Sequence, residues 1–364
     1  MSGYFSGRCT IFVRVRKYKM KEYVLITMIK RSNCNAGPKA PRDICNILKK
    51  TGKVESVLME SEINQDYPLF LRLIQELKRV KSEGRKVILQ YPLQPFFFFE
   101  QQKLFAEAYS YLDPDRTILW VHDINKIRFA QRTECQGEME WLKPFHHFVV
   151  HNARMEQYLR KYLPVVDCIP NEIFDYISAE KKEQEFYSGN PGLEQEVVFA
   201  GNLIREKSPF LYDLDGKKMN FRLNVYGKWE ELMKNGKIYY QGNFSADLLP
   251  SRLRGDLGLI WDGGIGSADI STYKNYTRYN APHKFSCYMA AGLPVIAWRE
   301  AAIAEVIQKY QVGYLIDNLY EINSLDLSRY PEYQKNAQDL GEKVRSGYFT
   351  KRVFAQIEER WNAL

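Results

Sequence analysis

Asn280-Ala-Pro-His-Lys-Phe-Ser-Cys-Tyr-Met-Ala-Ala-Gly-Leu-Pro-Val-Ile-Ala297 reads as a loop, a short helix and a buried strand in succession. Asn280 suits a capping position, Pro282 a first helical position and Gly292 the residue just beyond a helix end, so one helix is predicted over residues 281–291. The free N–H groups of its first turn and the positive end of the helix dipole favour an anion there. Lys284 adds a full charge within the same turn. Leu293 to Trp298 follows as a short apolar strand.

Working outward, strand-like runs alternate with helical patterns on both sides of this unit. Toward the N-terminus, Tyr23 to Ile29, Val87 to Gln90, Thr117 to Val121 and Phe148 to Val150 are apolar enough for buried strands. Between them, Pro41 to Lys50, Phe70 to Val80, residues 99–111 and Met155 to Tyr162 place apolar side chains at helical spacing. Residues 168–195 break the rhythm with Ile-Pro-Asn, a charged run from Glu180 and Ser-Gly-Asn-Pro-Gly, a composition suited to a linker. The rhythm then resumes with Glu196 to Ala200, Phe221 to Tyr226, Gly258 to Trp261, Leu293 to Trp298 and Val312 to Ile316. Alternation of this kind predicts an α/β fold of mostly parallel sheets covered on both faces. The expected divisions are a basic extension over 1–20, an N-terminal Rossmann-like domain over 21–175, a linker over 176–195 and a C-terminal Rossmann-like domain over 196–345. Phe349, Val353, Ile357 and Trp361 at helical spacing predict a last helix over 346–364.

Composition narrows the function classes. The 364 residues suffice for two cores, and 45% hydrophobic content excludes a disordered chain. The net charge of +8 is concentrated in residues 1–20, where Arg8, Arg14, Arg16, Lys17 and Lys19 have no acidic neighbour. The remainder is nearly balanced and lacks the basic face that a phosphate backbone requires, which argues against nucleic acid. Met20 precedes a natural first strand, so residues 1–19 are expected to be an upstream extension. No apolar run approaches the length of a membrane span. The six cysteines are scattered without zinc spacing, as expected for reduced thiols of a cytoplasmic protein.

Parallel sheets bind ligands beyond the carboxyl ends of their strands, so the residues after each run are the candidate site. In the second half these are Gly201 to Lys207, Tyr226 to Lys228, Asp262 and the helix start at Asn280 to Lys284. Arg205 can fork onto a diphosphate while Lys284 and the helix N-terminus hold other oxygens, the arrangement expected of a nucleotide-sugar site without a metal. Glu305 on the next helix is placed to accept from a ribose. In the first half, Ile118 to Val121 runs into His122 and Asp123, a histidine and a carboxylate able to take an acceptor proton. The loop Asn33 to Lys39, with Gly37, borders the same cleft. Asp113-Pro-Asp115 and Asp213-Leu-Asp215 match a metal-binding pair but lie in turns rather than after strands, so no metal is expected.

Val198 to Arg205, Gly258 to Gly263, Asn280 to Ser286 and Gly313-Tyr-Leu resemble bacterial β-1,6-galactofuranosyltransferases of O-antigen synthesis and the related glucosyltransferases that modify serine-rich adhesins. Val121-His-Asp-Ile and Val150-His-Asn152 extend the likeness into the first half, which brings Asn152 into the cleft. The resemblance implies a GT-B architecture of two Rossmann-like domains, with the last helix crossing back to the first domain, and metal-independent transfer of a hexose from a UDP-sugar, with no cofactor. It implies that Arg205, Tyr226 and the segment Pro282, His283, Lys284, Phe285, Ser286 and Cys287 hold UDP. Trp261-Asp262-Gly263 with Asn280 to His283 is closer to the galactofuranosyl branch, which points to UDP-galactofuranose. A β-linkage from an α-linked donor is an inversion, served by one base, Asp123 or else His122. The implied acceptor is a glycan, lipid-linked at the inner membrane face, with peripheral membrane contact. A UDP-glucose donor, a UDP-sugar epimerase and a silent UDP-binding subunit stay open, as does a homo-oligomeric assembly.

Overall fold

The computed structural model describes residues 21–31, 37–63, 66–93, 101–178, 194–228, 235–266 and 271–361. Residues 1–20, most of the expected linker and most of the loop before Gly37 lie outside these. Twelve strands make two six-stranded parallel sheets. The first contains β1 (Tyr23–Lys30), β2 (Val54–Ser61), β3 (Lys86–Tyr91), β4 (Thr117–Val121), β5 (His147–Val150) and β6 (Asp167–Pro170). The second contains β7 (Gln195–Ala200), β8 (Phe221–Tyr226), β9 (Ile238–Gly242), β10 (Leu257–Ile260), β11 (Val295–Trp298) and β12 (Gly313–Ile316).

The spatial order is β2-β1-β3-β4-β5-β6 in one sheet and β12-β11-β10-β7-β8-β9 in the other. The order therefore reverses between β1 and β3, and between β7 and β10. At each reversal the connecting helices leave to opposite faces of the sheet and open a crevice beyond the strand ends. These two crevices locate the site. Their walls are rigid because β1, β3, β4, β7 and β10 are buried on both sides, with Leu25, Ile88, Leu119, Val197 and Leu259 at most 1% exposed.

The last helix, Tyr348–Trp361, belongs in space to the first half. Val353, Phe354, Ile357 and Trp361 join a core cluster with Tyr23, Leu25, Ile88 and Ile118. Lys86 donates to the carbonyl of Trp361 at 2.9 Å, and the rings of Tyr23 and Phe354 meet edge-on at 5.5 Å. The turn into this helix is Gly347, at φ 74, where a Cβ would lie 2.9 Å from the Ile47 side chain. Positive φ and lack of space both select glycine. Asp175, in the segment between the sheets, caps the helix by accepting from the amides of Phe349 and Thr350 at 3.2 and 2.6 Å. Residues 171–178 are thus packed between the halves rather than loose, with Ile173, Phe174 and Tyr176 buried.

The helix of the opening stretch runs over His283–Ala290, two residues later than expected at its start. Pro282, not Asn280, occupies the capping position, with extended backbone (φ −71, ψ 131) and no side-chain cap. Gly292 follows the helix at φ 73, as expected. Asp113 and Asp215 accept from the amides of Asp115 and Lys217 at 3.1 and 3.0 Å, so both Asp-x-Asp pairs serve turns.

Candidate active site in the interdomain cleft

The second crevice holds a cluster of buried charge. Asp262 follows β10, and Lys284 lies in the first turn of the helix His283–Ala290. The Lys284 Nζ is 2.8 Å from Asp262 Oδ1, donates to the carbonyl of Trp261 at 3.0 Å and sits 4.4 Å from the centre of the Phe199 ring. Lys207, after β7, places its Nζ 3.8 Å from Asp262 Oδ2. Burial works against the Asp262 carboxylate, but Lys207, Lys284 and Arg128 outweigh it and hold the group below its usual range. Gly201 makes room for the lysine, since a Cβ there would come within 2.7 Å of Lys284 Cε. Two ammonium groups against one carboxylate leave an excess positive charge at a helix N-terminus, the electrostatics of an anion site.

Several expected donor residues are placed elsewhere. Arg205 points outward, its side chain 64% exposed, paired with Asp213 at 3.2 Å and lying over the Tyr212 ring. Lys207, two residues on, takes the inward position. Tyr226 ends β8 but faces the core, where its hydroxyl accepts from the Arg254 amide at 2.9 Å. Phe285, Ser286 and Cys287 are buried in the helix, and the Phe285 amide donates to the Pro282 carbonyl at 2.9 Å. Among the described residues the buried Asn280 Oδ1 has no hydrogen-bond partner, and Asn280 lines a small pocket with Asp262, Lys274, Trp261, Trp298 and Pro282. Glu305 is engaged by Arg154 of the first half at 2.9 Å.

The first crevice sets neutral hydrogen-bonding groups beside carboxylates that already have partners. Gln90 donates from Nε2 to Thr27 Oγ1 at 2.6 Å and to the Pro41 carbonyl at 3.0 Å, which turns its Oε1 toward His122 Nε2, 2.6 Å away. A carbonyl only accepts, so His122 carries its proton on Nε2 and presents Nδ1 as an acceptor. Its ring stacks on Phe174 at 5.3 Å. Burial, then the neighbouring His151 and His283, push the His122 imidazolium down to about 3. His122 is therefore a neutral hydrogen-bonding group near pH 7.

Asp123 is held from two sides. Its Oδ1 accepts from the hydroxyl of Tyr276, a residue of the second half, at 2.7 Å, and its Oδ2 is ion-paired with Arg128. The loop is anchored by Glu138, which accepts from the Tyr91 hydroxyl and the amides of Asn125 and Lys126 at 2.6, 3.0 and 2.6 Å. Burial lifts Glu138 to about 7 despite these donors. Nothing in the spacing of Gln90, Arg128, Glu138 or Tyr276 marks them in the sequence.

Lys39 is no free cleft cation: it is buried against Asp43 at 2.6 Å, reaches Asp247 of the second half at 2.9 Å and lies over the Tyr176 ring. Gly37 is an exposed turn residue at the start of that helix. Asn152 caps the helix Ala153–Arg160 by accepting from the Met155 amide at 3.0 Å, and its Nδ2 donates to the Tyr279 carbonyl at 2.8 Å. The Ala281 amide donates to His151 Nδ1 at 2.9 Å. His283 stacks on Tyr176 at 4.8 Å, with both ring nitrogens buried and unpartnered among the described residues. Residues 276–281 are therefore a strap of the second half fastened to the first, leading straight into the helix that starts at His283.

Comparison with known proteins accords with this geometry. Residues 22–167 match the glucosyltransferase 3-like N-terminal domain and residues 197–357 the glucosyltransferase 3-like C-terminal domain. The chain belongs to the glucosyltransferase 3-like family. It is 28% identical over 249 residues, 66% of this chain and 71% of the relative, to the β-1,6-galactofuranosyltransferase WbbI of Escherichia coli. It is equally 28% identical over 245 residues, 65% of this chain and 69% of the relative, to glucosyltransferase 3 of Streptococcus gordonii. Anabaena Alr3699/HepE, solved in complex with UDP-glucose, has the same fold, with a TM-score of 0.59 at 13% identity over 94% of this chain and 100% of that one. This glucosyltransferase 3-like chain is thus a GT-B glycosyltransferase. Among its described residues no helix is long and apolar enough to cross a membrane, and no group of three or more metal-ligating side chains occurs.

Proposed function

We propose that the protein transfers galactofuranose from UDP-galactofuranose to a glycan acceptor by a metal-independent, inverting displacement. The observation that carries this reading is the Lys207–Asp262–Lys284 cluster at a helix N-terminus, facing a cleft whose other wall carries Asp123. The diphosphate sits against the two lysines and the amides of residues 283 and 284. The acceptor hydroxyl gives its proton to the Asp123 carboxylate as its oxygen bonds to the anomeric carbon. The bond from that carbon to the diphosphate oxygen breaks, and its electron pair leaves with UDP, where fixed positive charge stabilises it. His122 Nδ1 accepts from a sugar hydroxyl and orients it. The UDP-glucose bound by HepE supports a UDP donor in this fold.

In this reading residues 21–175 form the acceptor domain, 176–195 the linker, 196–345 the donor domain and 346–364 the crossover, and the acceptor is lipid-linked at the inner membrane face. A glucose donor is the second reading, favoured by the equal identity to glucosyltransferase 3. Incubating the protein with UDP-galactofuranose, UDP-glucose or UDP-galactose and glycan acceptors, and measuring UDP release, decides between them. Turnover with UDP-galactofuranose alone is expected, and Asp123→Asn should lower it by about 100-fold or more. Interconversion of the sugars without transfer would make it an epimerase, and UDP affinity without turnover a silent subunit. Full turnover of Asp123→Asn would dismiss that residue as the base.

A further inference from the structure

Arg128 is the last residue of the short helix Asn125–Arg128 of the first half, which packs on the helix Thr272–Tyr276 of the second. Its guanidinium is ion-paired with Asp123 and lies over the Phe129 ring, its side chain 29% exposed. From the second half the Tyr276 hydroxyl reaches the same Asp123 carboxylate at 2.7 Å, and the Arg128 charge lies within electrostatic reach of Tyr273 and Asp262. It therefore borders both the carboxylate read above as the base and the Asp262–Lys284–Lys207 cluster read as the diphosphate seat. A carboxylate ion-paired in this way is a poor proton acceptor, because protonating it would break the pair. A diphosphate brings more negative charge than Asp123, and its oxygens match the planar fork of an arginine.

We infer that Arg128 is a diphosphate ligand contributed by the acceptor half, which leaves Asp123 for the donor when UDP-sugar binds. The exchange couples the two sites. Before the donor arrives, Arg128 neutralises Asp123. Once the guanidinium turns to the diphosphate, Asp123 keeps only the Tyr276 hydroxyl, which holds Oδ1 in place and leaves Oδ2 open to an acceptor hydroxyl. Tyr276 is in this scheme a positioning residue. The inference rests on the reading of the cleft as a UDP-sugar site and adds a residue to it.

Calorimetric titration of the full chain with UDP, and NMR titration with uridine, test it. Arg128→Gln should weaken UDP about tenfold or more, the worth of a charge-assisted contact, and leave uridine unchanged. Asp123→Asn should tighten UDP several-fold, because it frees Arg128, and the gain should vanish when Asp123→Asn is made in the Arg128→Gln background. Arg128→Lys should recover part of the loss. Equal weakening of UDP and uridine would make Arg128 merely structural, and unchanged UDP affinity in Arg128→Gln would overturn its role as ligand. Unchanged UDP affinity in Asp123→Asn would overturn the exchange, in an arm that leaves Arg128 itself intact. A wild-type protein that ignores UDP would remove the underlying reading as well. If it binds UDP and Arg128→Gln binds equally, this inference alone falls.

Discussion

The two halves share one architecture and use it to opposite electrostatic ends. Beyond β7 and β10, three ionised side chains of both signs are gathered within a few ångströms, with side-chain exposures of 14–25%. Beyond β1, β3 and β4, an amide, a hydroxyl and a neutral imidazole meet, and the charges beside them, Asp123 with Arg128 and Lys39 with Asp43, are already paired. Parallel sheets with their reversals in corresponding places supply the same crevice twice. What differs is which residues follow the strands. The difference suits a bisubstrate transfer, in which one half must grip a dianionic leaving group and the other an uncharged sugar hydroxyl.

The largest expected effect lies in the charged half. Lys284→Met leaves the Asp262 carboxylate with Lys207 alone, 3.8 Å away. Breaking a buried ion pair from one side costs about 3–5 kcal/mol, and removing a donor aimed at the departing oxyanion costs about 100-fold or more in turnover. Urea unfolding and UDP release measure the two. Adding Asp262→Leu should restore much of the stability, because the charge that then remains, Lys207, has a side chain 25% exposed and can reach water, but none of the turnover. A single variant with unchanged turnover would break the contrast between the halves at its strongest point.

The neutral half is tested by pH. His151 is 2% exposed, and burial lowers its imidazolium to about 4. In the unfolded chain it takes up a proton near 6.5. Between these values the unfolded state binds one more proton than the native one, so His151 makes stability fall as pH falls from about 6.5 to about 4, by up to about 1.4 kcal/mol per unit. Asp43 and Asp175, which burial lifts to about 6, act with the opposite sign between their unfolded values and 6. They cancel when wild type is compared with His151→Asn, which retains an acceptor for the Ala281 amide. The variant's stability should decline more gently over that window in urea titrations. Parallel curves would show that the imidazole is not held neutral.

How much of this was legible follows from where each residue sits. The central strands announce themselves because burial on both faces demands continuous apolar runs. The strands without such runs, β2, β6 and β9, are all sheet edges. There, Glu55, Ser56, Asp167 and Gln241 are tolerated because one side of the ladder meets solvent. Asp123 was legible because it comes just after a strand, and Lys284 because it stands in the first turn of a helix marked by Pro282 and Gly292. Tyr226 also ends a strand, yet alternation along β8 turns its ring into the core, and no local rule separates Arg205 from Lys207 two residues later. The side-chain hydrogen bonds and ion pair of Gln90, Glu138, Tyr276 and Arg128 join partners at least five residues away in sequence, for Tyr276 across the cleft, so periodicity carries no trace of them. Pro282 displaces Asn280 from the cap because its own backbone takes the extended conformation that the helix start requires.

The smallest expected effect concerns what fastens the halves together. Arg154 reaches from the first half to Glu305 at 2.9 Å and to the carbonyl of Glu300 at 2.7 Å. The Glu305 side chain is 58% exposed, so the pair is worth at most about 1 kcal/mol and is screened by salt. Two roles compete for this carboxylate, a ribose acceptor in the charged half or a tether between the halves. A tether predicts that Glu305→Gln and Arg154→Ala each change UDP affinity by less than about twofold, that the two changes are not additive, and that both fade as salt rises. A ribose contact predicts a loss of about tenfold for Glu305→Gln alone, with Arg154→Ala raising affinity by releasing the carboxylate. Calorimetry on the two single variants and the double variant at low and high salt separates them. The tether is the expected outcome, because Arg154 already holds the carboxylate at 2.9 Å and the Glu305 side chain is 58% exposed.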